Sequence, residues 1–264
     1  MQLDPGRTGY DLHFRLLGVA VRVHPFFWLA TFLMGFSGGD PKSILVWMLA
    51  SFVSILAHEM GHALTMRRYG LGARVVLYHF GGLAIAEETD HPDWLPRSRE
   101  STWQAVLISF AGPAAGFLLA GLLAVILLSS GGTFQWLPLN VESPIFWKFH
   151  LPKSIPEVVQ AVEGKIELTP LRLLCEDLFY INIFWGLVNL LPVFPLDGGQ
   201  IARALFTARD RYRGLSYALQ LSCVTAVVVG LLAYFVLQNQ YMGFMFFILA
   251  FSNYQMWQQA SRPY

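Results

Sequence analysis

The sequence predicts an all-α polytopic membrane protein of about six transmembrane helices, with a small β-sheet or hairpin at the cytoplasmic membrane surface. Three observations carry that expectation. Hydrophobic residues make up 55% of the 264 positions and charged residues only 13%, with a mean hydropathy of +0.48, a balance foreign to a water-soluble globule. The apolar residues gather into six runs separated by turns and polar loops. Finally, if both termini are cytoplasmic, only Lys42, Lys148, Lys153, Lys165 and Arg172 of the 18 lysines and arginines fall outside, as the positive-inside rule requires. A net charge of +1 without a basic face gives no case for nucleic acid.

Taken in order, the first two dozen residues carry Asp4, Arg7, Asp11, Arg15 and Arg22 and no apolar core, so no signal peptide is expected. Phe14 to Val23 alternates around Gly18, with Val19, Val21 and Val23 on one side, and reads as a hairpin at the membrane surface. Pro25 starts a helix over 26–36, short for a full crossing. A second span covers 43–66 and ends at Arg67-Arg68. Residues 72–88 read as two short apolar strands around a turn at Gly81-Gly82.

After a polar, proline-containing loop over 90–100, a third span covers 106–128. Its Gly112-Pro113 pair removes an amide donor and predicts a kink. Residues 129–172 form a partly ordered extramembrane loop, too small for a catalytic domain. A fourth span, 173–194, contains Glu176 and Asp177 and runs into a segment broken by Pro192, Pro195, Gly198 and Gly199 around the single carboxylate of Asp197. A basic amphipathic stretch over 201–213 precedes the last two spans, 215–237 and 242–257. Cys175 and Cys223 are directed toward opposite faces and read as separate buried thiols. The whole chain, 1–264, reads as one membrane-embedded domain with its core over 19–199 and additional spans over 215–257.

The chemistry concentrates in the second span. Within Leu56-Ala57-His58-Glu59-Met60-Gly61-His62, the two histidines are four residues apart and share one helix face, with Glu59 beside them. Two imidazoles and a carboxylate are costly in hydrocarbon, so ionisable groups there mark function by default. A catalytic Zn2+ takes three protein ligands and keeps one open position. His58 and His62 supply two ligands, and Asp197, reaching the same depth toward the cytoplasmic face, is the candidate for the third. Glu59 is then the general base of a peptide-bond hydrolysis that forms no covalent enzyme intermediate.

These residues, with Phe80-Gly81-Gly82, Ala111-Gly112-Pro113 and Asn189-Leu190-Leu191-Pro192-Val193-Phe194-Pro195-Leu196-Asp197-Gly198-Gly199, resemble the site-2 protease family of intramembrane zinc metalloproteases. His24-Pro25-Phe26 and the six-span layout are most similar to the bacterial branch that processes a sporulation sigma-factor precursor. The resemblance implies one zinc per chain held by His58, His62 and Asp197, Glu59 as catalytic base, a membrane-associated protein substrate, and residence in a bacterial cell membrane. No stretch suits a periplasmic PDZ insert or a CBS domain.

A helical substrate offers no free backbone, so an edge strand over 80–86 is expected to take it up in extended form. Gly81 and Gly82 would allow close approach, and Asn189 would hold substrate backbone through its amide. An ordinary hairpin turn is an equal reading of the glycines, and the two roles are compatible. His13, His24, His79, His91 and His150 read as isolated side chains at surfaces or in loops, and the aromatic residues of the last two spans as packing or lipid-facing surface. The competing function is a non-enzymatic transporter or zinc-binding membrane protein that retains the motif. A regulatory membrane partner is compatible with either.

Overall fold

The computed structural model describes residues 6–36, 40–79, 81–87, 101–136, 147–152, 158–162 and 165–261. Its elements are, in order, β1 (Leu12–Leu16), β2 (Val19–Val23), α1 (Pro25–Gly35), α2 (Pro41–Arg68), β3 (Gly72–Tyr78), β4 (Gly81–Glu87), α3 (Thr102–Ser129), β5 (Thr133–Trp136), β6 (Trp147–His150), β7 (Val158–Val162) and β8 (Lys165–Leu168). Then come α4 (Pro170–Tyr180), a π-helical turn (Ile181–Trp185), α5 (Gly186–Asn189), α6 (Asp197–Arg209), α7 (Gly214–Leu231) with a second π turn (Leu232–Val236), and α8 (Gln240–Ala260).

All six apolar runs fold as helices, although the fourth ends at Asn189 rather than continuing to Phe194. Among the described residues, three helices are long and apolar enough to cross a membrane: α2, α3, and α7 with its π turn. On α3, Leu118, Leu122 and Val125 are 74%, 57% and 63% exposed, which suits a helix facing lipid rather than water. Pro113 lies inside α3, fully buried, and the helix continues through it. The stretch 129–172, expected as a loop, carries two antiparallel hairpins, β5 with β6 and β7 with β8.

The chain divides into two compact units. The first comprises Met1–Pro96, Ala114–Trp136 and Trp147–Gly186. Its sheet has the order β1-β2-β3-β4. The expected hairpins at both ends of the sheet are present, but β2 and β3 pair in parallel, with Val21 opposite Val75 and Val23 opposite Leu77. A parallel pair needs a long crossover, and here α1 and α2 provide it. The second turn also differs from expectation. It falls at His79, with φ 48°, and Gly81 and Gly82 are already the first two residues of β4, opposite Tyr78 and Leu77. β4 is an edge strand.

Alternation decides which face of the sheet is buried. Val19, Val21, Val23, Ala73, Val75 and Leu77 form one core with Phe27 of α1 and with Ile55, Met60 and Ala63 of α2. Each fully buried valine or leucine contributes roughly 1.5–3 kcal/mol, so the sheet is fastened to the last third of α2. Two further ties act at the ends. The Arg67 guanidinium donates to the Leu17 carbonyl at 2.6 Å, fixing the end of α2 to the β1–β2 turn. His24, expected at a surface, is instead buried, and its Nδ1 accepts from the Phe26 N–H at 3.1 Å, capping α1 behind Pro25.

The second unit comprises Arg97–Pro113, Leu137–Phe146 and Leu187–Tyr264. Its α7 and α8 approach closely at small residues: a Cβ on Gly243 would stand 3.2 Å from the Gly230 carbonyl oxygen. Phe246 is completely buried here, whereas Phe244 and Phe251 face outward. Asp210 ends the connection from α6 by accepting the N–H groups of Tyr212 and Arg213, which hold its carboxyl below the usual range.

A buried Arg22 is paired with Asp11 at 3.0 Å. The Thr8 hydroxyl at 2.6 Å, the Thr8 N–H and the Arg22 guanidinium lower the Asp11 pKa from 3.8 to about 2. A depressed carboxyl stabilises the fold fully above its unfolded value and loses that contribution as pH falls through the folded value. The protection factors of the β1 amides, measured against the intrinsic exchange rate at each pH, should therefore hold down to about pH 4 and fall between about pH 4 and 2. Asp11→Asn should show no such step.

Candidate metal centre

The site begins with the geometry of one helix. His58 and His62, one turn apart on α2, are 7% and 6% exposed, and Glu59 between them is 6% exposed. The Nε2 atoms of the two imidazoles stand 3.1 Å apart, with the rings edge to face. Two nitrogens bound to a tetrahedral zinc at about 2.0–2.1 Å would be roughly 3.3 Å apart. The pair thus matches the donor type and spacing of two adjacent zinc ligands.

The neighbouring turns of α2 hold this pair in place. Ser54 precedes His58 by four residues and lies on the same face. Its hydroxyl oxygen accepts from the Asn182 amide at 2.8 Å, and that amide also donates to the Leu178 carbonyl at 2.8 Å. Asn182 is buried within the π turn after α4. Gly116 of α3 lies close to it, since a Cβ there would be 3.2 Å from the Asn182 Oδ1. Asn182 and Ser54 are not among the residues that the sequence singles out. A polar amide inside an apolar span was the available signal, but the π turn that aims it leaves no mark in the residue pattern.

Glu59 faces the sheet. A Cβ built on Gly82 would lie 2.8 Å from the Glu59 Cδ and 2.9 Å from its Oε1, so no side chain fits at position 82 without moving the carboxylate. Gly81 has open space around it. The two glycines therefore differ: Gly82 is demanded by the approach of edge strand β4 to the carboxylate, and Gly81 is not. Phe80 lies outside the described residues. His79 is exposed in the β3–β4 turn, where its ring meets that of Tyr78 at a tilt of 55°.

Asp197 and Asn189 belong to the second unit. Asp197 is the first residue of α6, so the chain is already helical at the carboxylate. Gly198 and Gly199 do not break this helix, contrary to expectation. They admit the preceding segment: a Cβ on Gly198 would collide with the Leu190 and Leu191 carbonyls, and one on Gly199 with the backbone of Val193 and Phe194. Asn189 ends α5 and is 7% exposed.

The Peptidase family M50 model matches residues 46–233 of this chain, a range that takes in His58, Glu59, His62 and Asp197. Rip3 of Mycobacterium tuberculosis, provisionally named a zinc metalloprotease, is 31% identical over 212 residues, covering 74% of this chain and 43% of Rip3. Zinc metalloprotease MJ0392 of Methanocaldococcus jannaschii is 22% identical over 205 residues, covering 75% of this chain and 46% of the relative. The chain thus spans less than half the length of these relatives. In solved structures, the site-2 protease from Methanocaldococcus jannaschii has the same fold, with a TM-score of 0.53, 20% identity and 97% of each chain covered.

Replacing either imidazole removes a donor that the other cannot supply. His58→Ala and His62→Ala should each lower bound metal from about one per chain toward zero, measured by elemental analysis of the purified protein.

Proposed function

Because this chain is an integral membrane protein that belongs to peptidase family M50, we propose that it is an intramembrane zinc endopeptidase. It cuts a membrane-associated protein near the cytoplasmic face. The observation that carries this reading is local: two imidazole nitrogens 3.1 Å apart, and beside them a buried carboxylate pressed against an edge strand at Gly82. His58, His62 and Asp197 are assigned to share the zinc on the sequence resemblance. Zinc, when bound, supplies a Lewis acid for the scissile carbonyl and lowers the pKa of water toward about 7.

The remaining steps belong to this chain's residues. Glu59 takes the proton of the attacking water and passes it to the leaving amine. Edge strand β4 adds the substrate to the sheet as an extended strand, its main-chain groups pairing along 81–87. Because Gly82 touches Glu59, a peptide paired on β4 runs beside the catalytic base. Asn189 and Phe80 are assigned to substrate contact on the sequence resemblance. The six helical runs cross the bilayer as six spans of one protease domain with both termini cytoplasmic, in a bacterial cell membrane. This layout is that of the sporulation sigma-factor-processing branch. The substrate is a membrane protein, with a regulatory membrane partner controlling access.

Glu59→Gln should retain zinc and abolish cleavage, detected as the disappearance of specific fragments from the membrane proteome of cells carrying the variant. Retained cleavage would remove Glu59 from the mechanism. A zinc-loaded parent protein that yields no fragment at all would favour the transport or zinc-binding role instead. Gly82→Val should keep zinc while slowing cleavage on the order of 100-fold, because the added side chain displaces the base.

A further inference from the structure

Two polar side chains in the last two helices are buried for no reason that the metal ligands or Glu59 explain. Ser222 of α7 is 1% exposed, and Asn253 of α8 is 0% exposed. Both are directed to the same residue. The Phe194 N–H donates to the Ser222 hydroxyl oxygen at 3.1 Å, and the Asn253 amide donates to the Phe194 carbonyl at 2.6 Å and to the Leu249 carbonyl at 2.8 Å. Phe194 lies between α5 and α6, where no helix supplies partners for its backbone. In a bilayer such irregular backbone persists only when protein groups satisfy it.

Phe194 is three residues before Asp197, and the intervening chain is tightly folded. The Leu196 N–H donates to the Val193 carbonyl at 2.8 Å, and the Val193 N–H to the Leu191 carbonyl at 2.7 Å. The first turn of α6 rests on this segment, because Gly199 leaves no room for a Cβ against Val193 and Phe194. One turn further on, the Arg203 guanidinium lies 5.8 Å from the centroid of the Phe194 ring. Moving Phe194 therefore moves the start of α6, and with it the Asp197 carboxylate.

We infer that Ser222 and Asn253 are positioning residues for Asp197: they clamp the Phe194 peptide groups from two helices and so set where the third metal ligand stands. This rests on Asp197 being that ligand. Outer partners of metal ligands typically change affinity by about 10- to 100-fold when removed. A role confined to helix packing would lower thermal stability without altering the metal.

The test uses the whole 264-residue chain in detergent, with zinc affinity read by chelator competition and the ligand field read from the visible spectrum of the cobalt(II)-substituted form. Ser222→Ala and Asn253→Leu should each weaken zinc binding by about 10- to 100-fold and shift the cobalt bands. Trp257→Phe, which removes the 2.9 Å bond from the Trp257 indole to Ser216 elsewhere on the same two helices, should leave both readouts at parent values. Parent affinity and spectrum in folded Ser222→Ala and Asn253→Leu would overturn the inference; if Asn253→Leu does not fold, Ser222→Ala decides alone. A loss in Trp257→Phe equal to theirs would also overturn it, by tracing the effect to packing. Asp197→Ala tests the underlying assignment separately, since unchanged metal binding there would remove Asp197 from the ligand set.

Discussion

The packing of the four-stranded sheet onto the last third of α2 is the interaction on which the first unit depends. Alternate valines of β2 and β3 close over Ile55, Met60 and Ala63, residues interleaved with His58, Glu59 and His62. The same few turns of helix therefore pack apolar side chains on the sheet and, among them, turn the Glu59 carboxylate toward its edge strand. Without the sheet, the imidazoles would keep their spacing, because the helix alone fixes that. They would lose their relation to β4, and Glu59 would lose the strand that passes beside it at Gly82.

A second regularity concerns polar groups in apolar surroundings. Buried polar groups cost free energy unless they find partners, and several here serve to hold something in place. Asn182 steadies Ser54, one turn before the first imidazole. His24 caps α1. The hydrogen bonds from Ser222 and Asn253 to Phe194 follow the same rule in the second unit. In each case a side chain satisfies backbone or a neighbouring hydroxyl at the point where a regular element begins, ends or bends.

The residue pattern made much of this legible. Hydrophobic runs located every long helix, the alternation around Gly18 located the first hairpin, and the four-residue spacing of His58 and His62 located the candidate centre. What escaped were features set by partners far away in sequence. The parallel pairing of β2 with β3 depends on a crossover of two helices, and local alternation is silent about pairing direction. Gly82 reads from the sequence equally as a turn residue and as a point of close backbone approach, and only its distant partner Glu59 accounts for it. Gly198 and Gly199 looked like helix breakers, yet they sit inside α6 because the preceding backbone crowds them. The π turn around Asn182 arises from one extra residue in the helical ladder, which hydrophobic periodicity does not record.

The crossover has a consequence for how the protein is made. Val23 and Leu77 are register partners, yet α1 and α2 lie between them in the chain. During synthesis β2 emerges early and has only β1 to pair with until both helices and β3 have followed it. Non-local pairings of this kind form late, after the cost of closing the loop has been met. The β4 edge then joins a sheet that already has α2 beneath it, so the groove next to Glu59 comes into being only once the helix bearing the imidazoles has been inserted and packed.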